Sequence, residues 1–195
     1  MTSDANNLFE IENGWLVFAE QQRSPHFTPR EDVTDISLLV VHNISLPPGK
    51  FGGPYITDLF LGRLEPDADP YFQDIYQLQV SAHCLIRREG SIVQYVSFND
   101  KAWHAGVSSF GQRDKCNDFS IGIELEGTDD IPYTREQYRQ LVCLVAKLQE
   151  TYPLISHNNL VGHSDIAPGR KTDPGPAFDW EYFRNCLQSK QESSQ

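Results

Sequence analysis

The sequence predicts a single domain of the α/β (α+β) class, and three observations carry that prediction. Short apolar runs of strand character alternate with segments of helical periodicity. No repeat and no linker divides the chain. Its 195 residues suit one domain of ordinary size and are short for two. Strands mixed with helices on one core define this fold class.

The elements follow in order. Residues 1–13 open on a polar stretch, and Gln188–Gln195 lacks any apolar residue, so both ends are expected to be poorly ordered. Ile36-Ser-Leu-Leu-Val-Val-His42 is a β-rich apolar run, short enough for a strand buried on both faces. The Pro and Gly content of 43–54 makes that segment a loop. A short helix is expected over Ile56–Leu61, and Leu64–Tyr71, with Pro66 and Pro70, returns to loop. Ser81–Arg88 and Ile92–Ser97 flank Glu89-Gly90 as a hairpin. Ser120–Glu126 is a further strand. Thr134 and Gln137 form a capping box, and Tyr138, Leu141, Val142, Val145 and Leu148 give the following helix one apolar face to about Thr151. A last helix near Asp179–Leu187 packs Trp180, Phe183 and Leu187 inward.

Composition narrows the partners. Twenty-seven acidic against sixteen basic side chains leave a formal charge of −11, which argues against nucleic acid or an anionic membrane as partner. A few local Arg or Lys still allow a small anionic substrate. No apolar run approaches the ~18 residues of a membrane span. The polar start carries no secretory pattern, and four well-spaced cysteines form no CxxC pair. A cytoplasmic protein with reduced thiols is therefore expected.

The G-x-S-x-G elbow, the phosphate-binding loop, the dinucleotide turn and the H-E-x-x-H helix are all missing. Six histidines remain (26, 42, 83, 104, 157 and 163). His42 closes an apolar strand, where its imidazole either bonds a backbone carbonyl or serves as a ligand. The segment Val161–Pro176 gathers His163, Asp165, Arg170, Lys171 and Asp173 in a loop stiffened by Pro168 and Pro174. His163 and Asp173, joined by His42, would make a two-nitrogen, one-oxygen set with an open fourth position, the pattern of catalytic zinc. The pairs His163/Asp165 and His83/His104 are rival ligand choices. In Ser120-Ile-Gly-Ile-Glu-Leu-Glu126 the glutamates alternate with apolar residues. They either face water from a half-buried strand, or Glu124 looks into a cleft as general base, with Gly122 leaving space beside it.

Five motifs occur together in order: Leu39-Val-Val-His-Asn-Ile-Ser45, Val80-Ser-Ala-His-Cys-Leu-Ile86, Ala102-Trp-His-Ala-Gly-Val107, Ile121-Gly-Ile-Glu-Leu-Glu-Gly127 and Gly169-Arg-Lys-Thr-Asp-Pro-Gly175. Each alone is weak. Together they closely resemble the zinc-dependent N-acetylmuramoyl-L-alanine amidases, which include phage T7 lysozyme and the peptidoglycan recognition proteins. Within that family the likeness is to the bacterial cytoplasmic amidases acting on 1,6-anhydro sugars. The match spans about Gly14 to Phe183.

The resemblance implies a central mixed β-sheet flanked by helices. It implies Zn2+ held by His42, His163 and Asp173, with Glu124 and Lys171 as the catalytic pair. The substrate would be a small anhydromuropeptide, cut between anhydro-N-acetylmuramic acid and L-alanine during cell-wall recycling, with an indirect link to β-lactamase induction. In that setting Arg170 suits a peptide carboxylate, Trp103 a sugar face, Asn43 the peptide backbone, and Tyr71 the cleft wall. His83 and His104 are left as orienting or structural residues. A monomer is expected. The alternative is a non-catalytic muropeptide receptor, which typically lacks a metal ligand, whereas all three are present here; a protein-interaction role has no signature in the acidic surface.

Overall fold

In the computed structural model, which describes residues 9–193, six strands assemble into one mixed sheet, and three short two-stranded ladders stand apart from it. In chain order the six are β1 (Glu20–Gln21), β2 (Leu38–Ile44), β3 (Cys84–Ile86), β4 (Ile92–Gln94), β5 (Ser120–Glu126) and β6 (Leu160–Gly162). They lie side by side as β6-β2-β5-β3-β4-β1. The β6-β2, β2-β5, β5-β3 and β4-β1 pairs are parallel, and the β3-β4 hairpin is antiparallel. The helices are α1 (Tyr55–Phe60), α2 (Arg135–Thr151), α3 (His163–Ile166) and α4 (Trp180–Glu192). The expected central mixed sheet with flanking helices is thus observed.

Residue parity explains what each face holds, because successive side chains on a strand point to opposite sides. Leu39, Val41, Ile121, Ile123 and Leu125 share a core with Leu141, Leu144, Val145 and Leu148 of α2 and with Phe183 and Leu187 of α4. Fully burying one such Leu, Ile or Phe is worth roughly 1.5–3 kcal/mol. Leu38 and Val40 turn to the opposite face and pack with Ala105, Phe119, Val161 and Ile166. His42 and Glu124 continue that second face, directly opposite each other in the parallel register. α2 begins as predicted, with the Thr134–Gln137 capping box formed in both directions.

Several expectations need correcting. β5 is not half-buried with its glutamates in water: all seven residues are buried, because neighbouring strands flank it and both faces are covered. Glu126, 1% exposed, accepts the backbone N–H groups of Gly52 and Arg88. The 64–71 loop contains short 3-10 turns at Pro66–Ala68 and Pro70–Asp74, each started by its proline. Trp180 packs against the core as expected, while remaining half-buried.

The ends are also more structured than their polarity suggests. A small ladder joins Ile11–Glu12 to Trp15–Leu16, and Phe9 is buried. α4 runs on to Glu192 through side-chain bonds, Gln188 to Glu192 and Gln191 to Gln149, which need no apolar burial. The remainder of the expected disordered ends, 1–8 and 194–195, lies outside the described residues. Among the described residues, no helix is long and apolar enough to cross a membrane.

Candidate metal centre and its cleft

The C-terminal ends of the parallel strands deliver the first groups. His42 sits near the end of β2, and His163 is the first residue of α3, immediately after β6. Asp173 follows on the loop beyond α3, before a cis peptide bond to Pro174. That loop is clamped at three points. Asp173's carbonyl accepts the Ser164 N–H (3.0 Å). The Tyr133 hydroxyl donates to the Pro174 carbonyl (2.8 Å). Gly175, at φ +77°, passes against the backbone of Asp129, where a Cβ would collide.

The three side chains converge. His42 Nδ1 lies 3.0 Å from both His163 Nδ1 and Asp173 Oδ2, and His163 Nδ1 lies 3.1 Å from Asp173 Oδ2. Two imidazole nitrogens and one carboxylate oxygen therefore form a near-equilateral triangle. Bonds of 2.0–2.1 Å to a tetrahedral ion would set such an edge at about 3.3 Å, so the donor set fits a metal ion with an outward shift of only a few tenths of an ångström. The fit is reinforced at His163, whose Nε2–H donates to the Ala105 carbonyl (3.1 Å) and leaves Nδ1 free to coordinate.

The rival ligand choices are placed elsewhere. Asp165 accepts the Gly162 N–H (2.7 Å) and caps α3. His83 is fully buried; its Nδ1 accepts the Gly122 N–H (3.0 Å) and its Nε2–H donates to the Asp100 carbonyl (3.1 Å). His104 stands behind His42, Nδ1 to Nε2, at 2.9 Å.

Glu124 lies beside the triangle on β5, 8% exposed. Its Oε2 is buried without a hydrogen-bond partner among the described residues. An orphaned buried acceptor costs about 1–3 kcal/mol, so such a group points to a use beyond packing. Burial, and then the nearby Asp173 carboxylate, push the Glu124 carboxyl well above the usual range, while Lys171 opposes them. Burial would also raise Asp173, but its close contacts with His163 and His42 outweigh it and hold that carboxyl below its ordinary value. Burial lowers His42 against the pull of Asp173.

All nine sequence-predicted site residues line one cavity of about 570 Å³. Asn43 donates to Asp129 Oδ1 (2.8 Å). Trp103 stacks on His26, with ring centroids 6.0 Å apart. Tyr71, 44% exposed, stands on the rim. Arg170 donates from Nη2 to the carbonyls of Ala105 (2.7 Å) and Val107 (2.6 Å), which fixes its guanidinium at the cleft edge. Sequence reasoning missed the apolar wall of Leu59, Phe60, Ile75 and Leu78. No motif marks these residues; only the packing of α1 and the following loop brings them to the cleft. The space above Gly122, read as room beside Glu124, is filled by the ring of His104.

The same burial predicts an acid limit to stability. Burial, aided by Arg30, pushes the His83 imidazole down to about 3, whereas an unfolded histidine protonates near 6.5. The unfolded chain therefore binds the extra proton across that window. His83's contribution is complete above pH 6.5 and is withdrawn as pH falls toward 3, with a slope that approaches about 1.4 kcal/mol per pH unit well below 6.5. In a Glu124→Gln background, which removes the oppositely signed raised carboxyl, urea unfolding at pH 7 and 5 should show a loss of about 2 kcal/mol; equal stability at both would contradict a neutral buried His83.

Comparison with known proteins gives the family. The family model described as N-acetylmuramoyl-L-alanine amidase matches residues 32–176. The 1,6-anhydro-N-acetylmuramyl-L-alanine amidase AmpD of Salmonella typhimurium is 61% identical over 173 residues, which is 89% of this chain and 92% of the relative. A crystal structure of a selenomethionine AmpD derivative superposes with a TM-score of 0.89 at 59% identity, covering 91% of this chain and 99% of that one. The amidase AmiD of E. coli, solved with the substrate anhydro-N-acetylmuramic acid-L-Ala-D-γ-Glu-L-Lys, is 30% identical with a TM-score of 0.57, over 78% of this chain and 57% of AmiD. A family match across most of the chain, joined to a relative alike over nearly its whole length, makes this protein a member of the N-acetylmuramoyl-L-alanine amidase family.

Proposed function

We propose that the protein hydrolyses the amide bond between 1,6-anhydro-N-acetylmuramic acid and L-alanine in small anhydromuropeptides, using Zn2+ held by His42, His163 and Asp173. One observation carries this reading: a metal-ready donor triangle and an unpartnered carboxylate oxygen share the floor of one cleft. When bound, zinc supplies a Lewis acid that acidifies water toward pKa ~7 and polarises a carbonyl.

The chain's own residues do the rest. Glu124 accepts the proton of the attacking water at its free oxygen and returns it to the departing alanine nitrogen; its raised pKa suits a group that must both take and give a proton. Lys171 places its ammonium toward the developing oxyanion, a contribution of about 10²–10³ in rate for one such donor. Arg170 faces a carboxylate of the stem peptide, Trp103 and Tyr71 the sugar, and Asn43, braced by Asp129, the peptide backbone. We place the activity in cytoplasmic peptidoglycan recycling, on the strength of the AmpD likeness.

Anhydromuropeptide mixed with the protein should yield free anhydro-N-acetylmuramic acid and stem peptide, read by liquid chromatography with mass detection. Stripping metal with a chelator should stop the reaction and added Zn2+ should restore it. Undiminished turnover in a metal-free sample would remove the zinc reading; tight binding without cleavage would make the protein a receptor.

A further inference from the structure

A metal-binding imidazole must present a lone pair to the ion, so its proton must sit on the other ring nitrogen, held there by an acceptor. At His163 that acceptor is the Ala105 carbonyl, which leaves no ambiguity. At His42 it is another imidazole: His42 Nε2 lies 2.9 Å from His104 Nδ1. His104 can donate or accept at that atom, according to which of its own ring nitrogens carries the proton.

Ser120 offers a partner on the far side of that ring. Its Oγ lies 3.0 Å from His104 Nε2. With Ser120 accepting the His104 Nε2–H, His104 Nδ1 carries the lone pair, His42 donates from Nε2, and His42 Nδ1 is open toward His163 and Asp173. The reverse polarity would place a proton on His42 Nδ1, inside the triangle.

The surroundings are built for this ring. His104 lies directly over Gly122, where any Cβ would overlap it. Its backbone N–H and that of Ala105 both donate to Asn117 Oδ1, at 3.1 and 2.8 Å. One pinned dipeptide, His104-Ala105, thus orients both histidines of the triangle, the first through its ring and the second through its carbonyl.

We infer that His104, set by Ser120 and Asn117, is a positioning residue that fixes His42 in its metal-receptive tautomer. This rests on the proposed metal site and assigns the residue that orients its strand-borne ligand. Losing such an outer partner typically costs 10–100-fold in metal affinity.

The test is Zn2+ affinity at pH 7.5, by competition with a chromophoric chelator, alongside thermal unfolding of the metal-free proteins. His104→Phe should bind Zn2+ about 10–100-fold more weakly than wild type. Ser120→Ala, a small change in a buried strand, should weaken binding in the same direction. His104→Gln, whose amide oxygen can accept and whose NH2 can donate, should recover most of the loss.

The inference is overturned if His104→Phe and Ser120→Ala hold Zn2+ as tightly as wild type. It is also overturned if His104→Gln is as weak as His104→Phe, since shape alone would then account for the effect. Should wild type itself retain no Zn2+, the metal reading fails and takes this inference with it, a result distinct from either.

Discussion

Asp173→Ala should yield a folded protein that neither retains zinc nor hydrolyses anhydromuropeptide. Asp173 Oδ2 is the shared vertex of the triangle, 3.0 Å from one imidazole and 3.1 Å from the other. It is also the only one of the three donors that carries a full negative charge. Without it, two neutral nitrogens face a divalent cation, and the preference for the two-nitrogen, one-oxygen set is lost. The fold should survive, because the loop is anchored through backbone groups that alanine retains, the Asp173 carbonyl to Ser164 and the Pro174 carbonyl to Tyr133. Metal content by mass spectrometry, turnover and far-UV circular dichroism should be read on the same preparation. Full activity with no bound metal would sink the proposed function.

Glu124→Gln is expected to separate metal binding from chemistry. The amide keeps the size of the side chain and lies outside the donor triangle, so bound zinc should stay near one per chain. The rate should fall by about 10²–10⁴, the usual contribution of positioned acid–base work. Stability should hold or rise, because the change removes an ionisable group whose charged form burial penalises. Single-turnover kinetics with measured zinc content would decide. A rate within a few-fold of wild type would return Glu124 to the role of a buried strand residue.

What could be read in the sequence follows from the range of the forces involved. The strand at 120–126 and the capped helix from Thr134 were legible because alternation, periodicity and a capping box are local. The burial of Glu126 was not, because its partners, the N–H groups of Gly52 and Arg88, are loop atoms that no local pattern announces. The continuation of α4 past Leu187 escaped for a related reason: a bond from Gln191 to Gln149 joins two helices far apart in the chain. In the site, residue types at 163–173 pointed to a ligand set, and the family likeness selected His42, His163 and Asp173 from it. The exclusion of Asp165 and His83 needed coordinates, since both are consumed by backbone N–H groups. Gly122 is instructive as well. Its missing side chain was noticed as empty volume, yet the occupant, His104, comes from a loop eighteen residues away in sequence.

The in-register pairing of position 42 with position 124 makes the chemistry hostage to counting. Adding or deleting one residue near the middle of either central strand would send the downstream half of that strand to the wrong side of the sheet. An imidazole or a carboxylate would then be pressed into the hydrocarbon layer beneath α2, while valine or leucine took its place above. Length changes in this protein should therefore be tolerated in the connecting loops and be lethal between Leu38 and His42 or between Ser120 and Glu124.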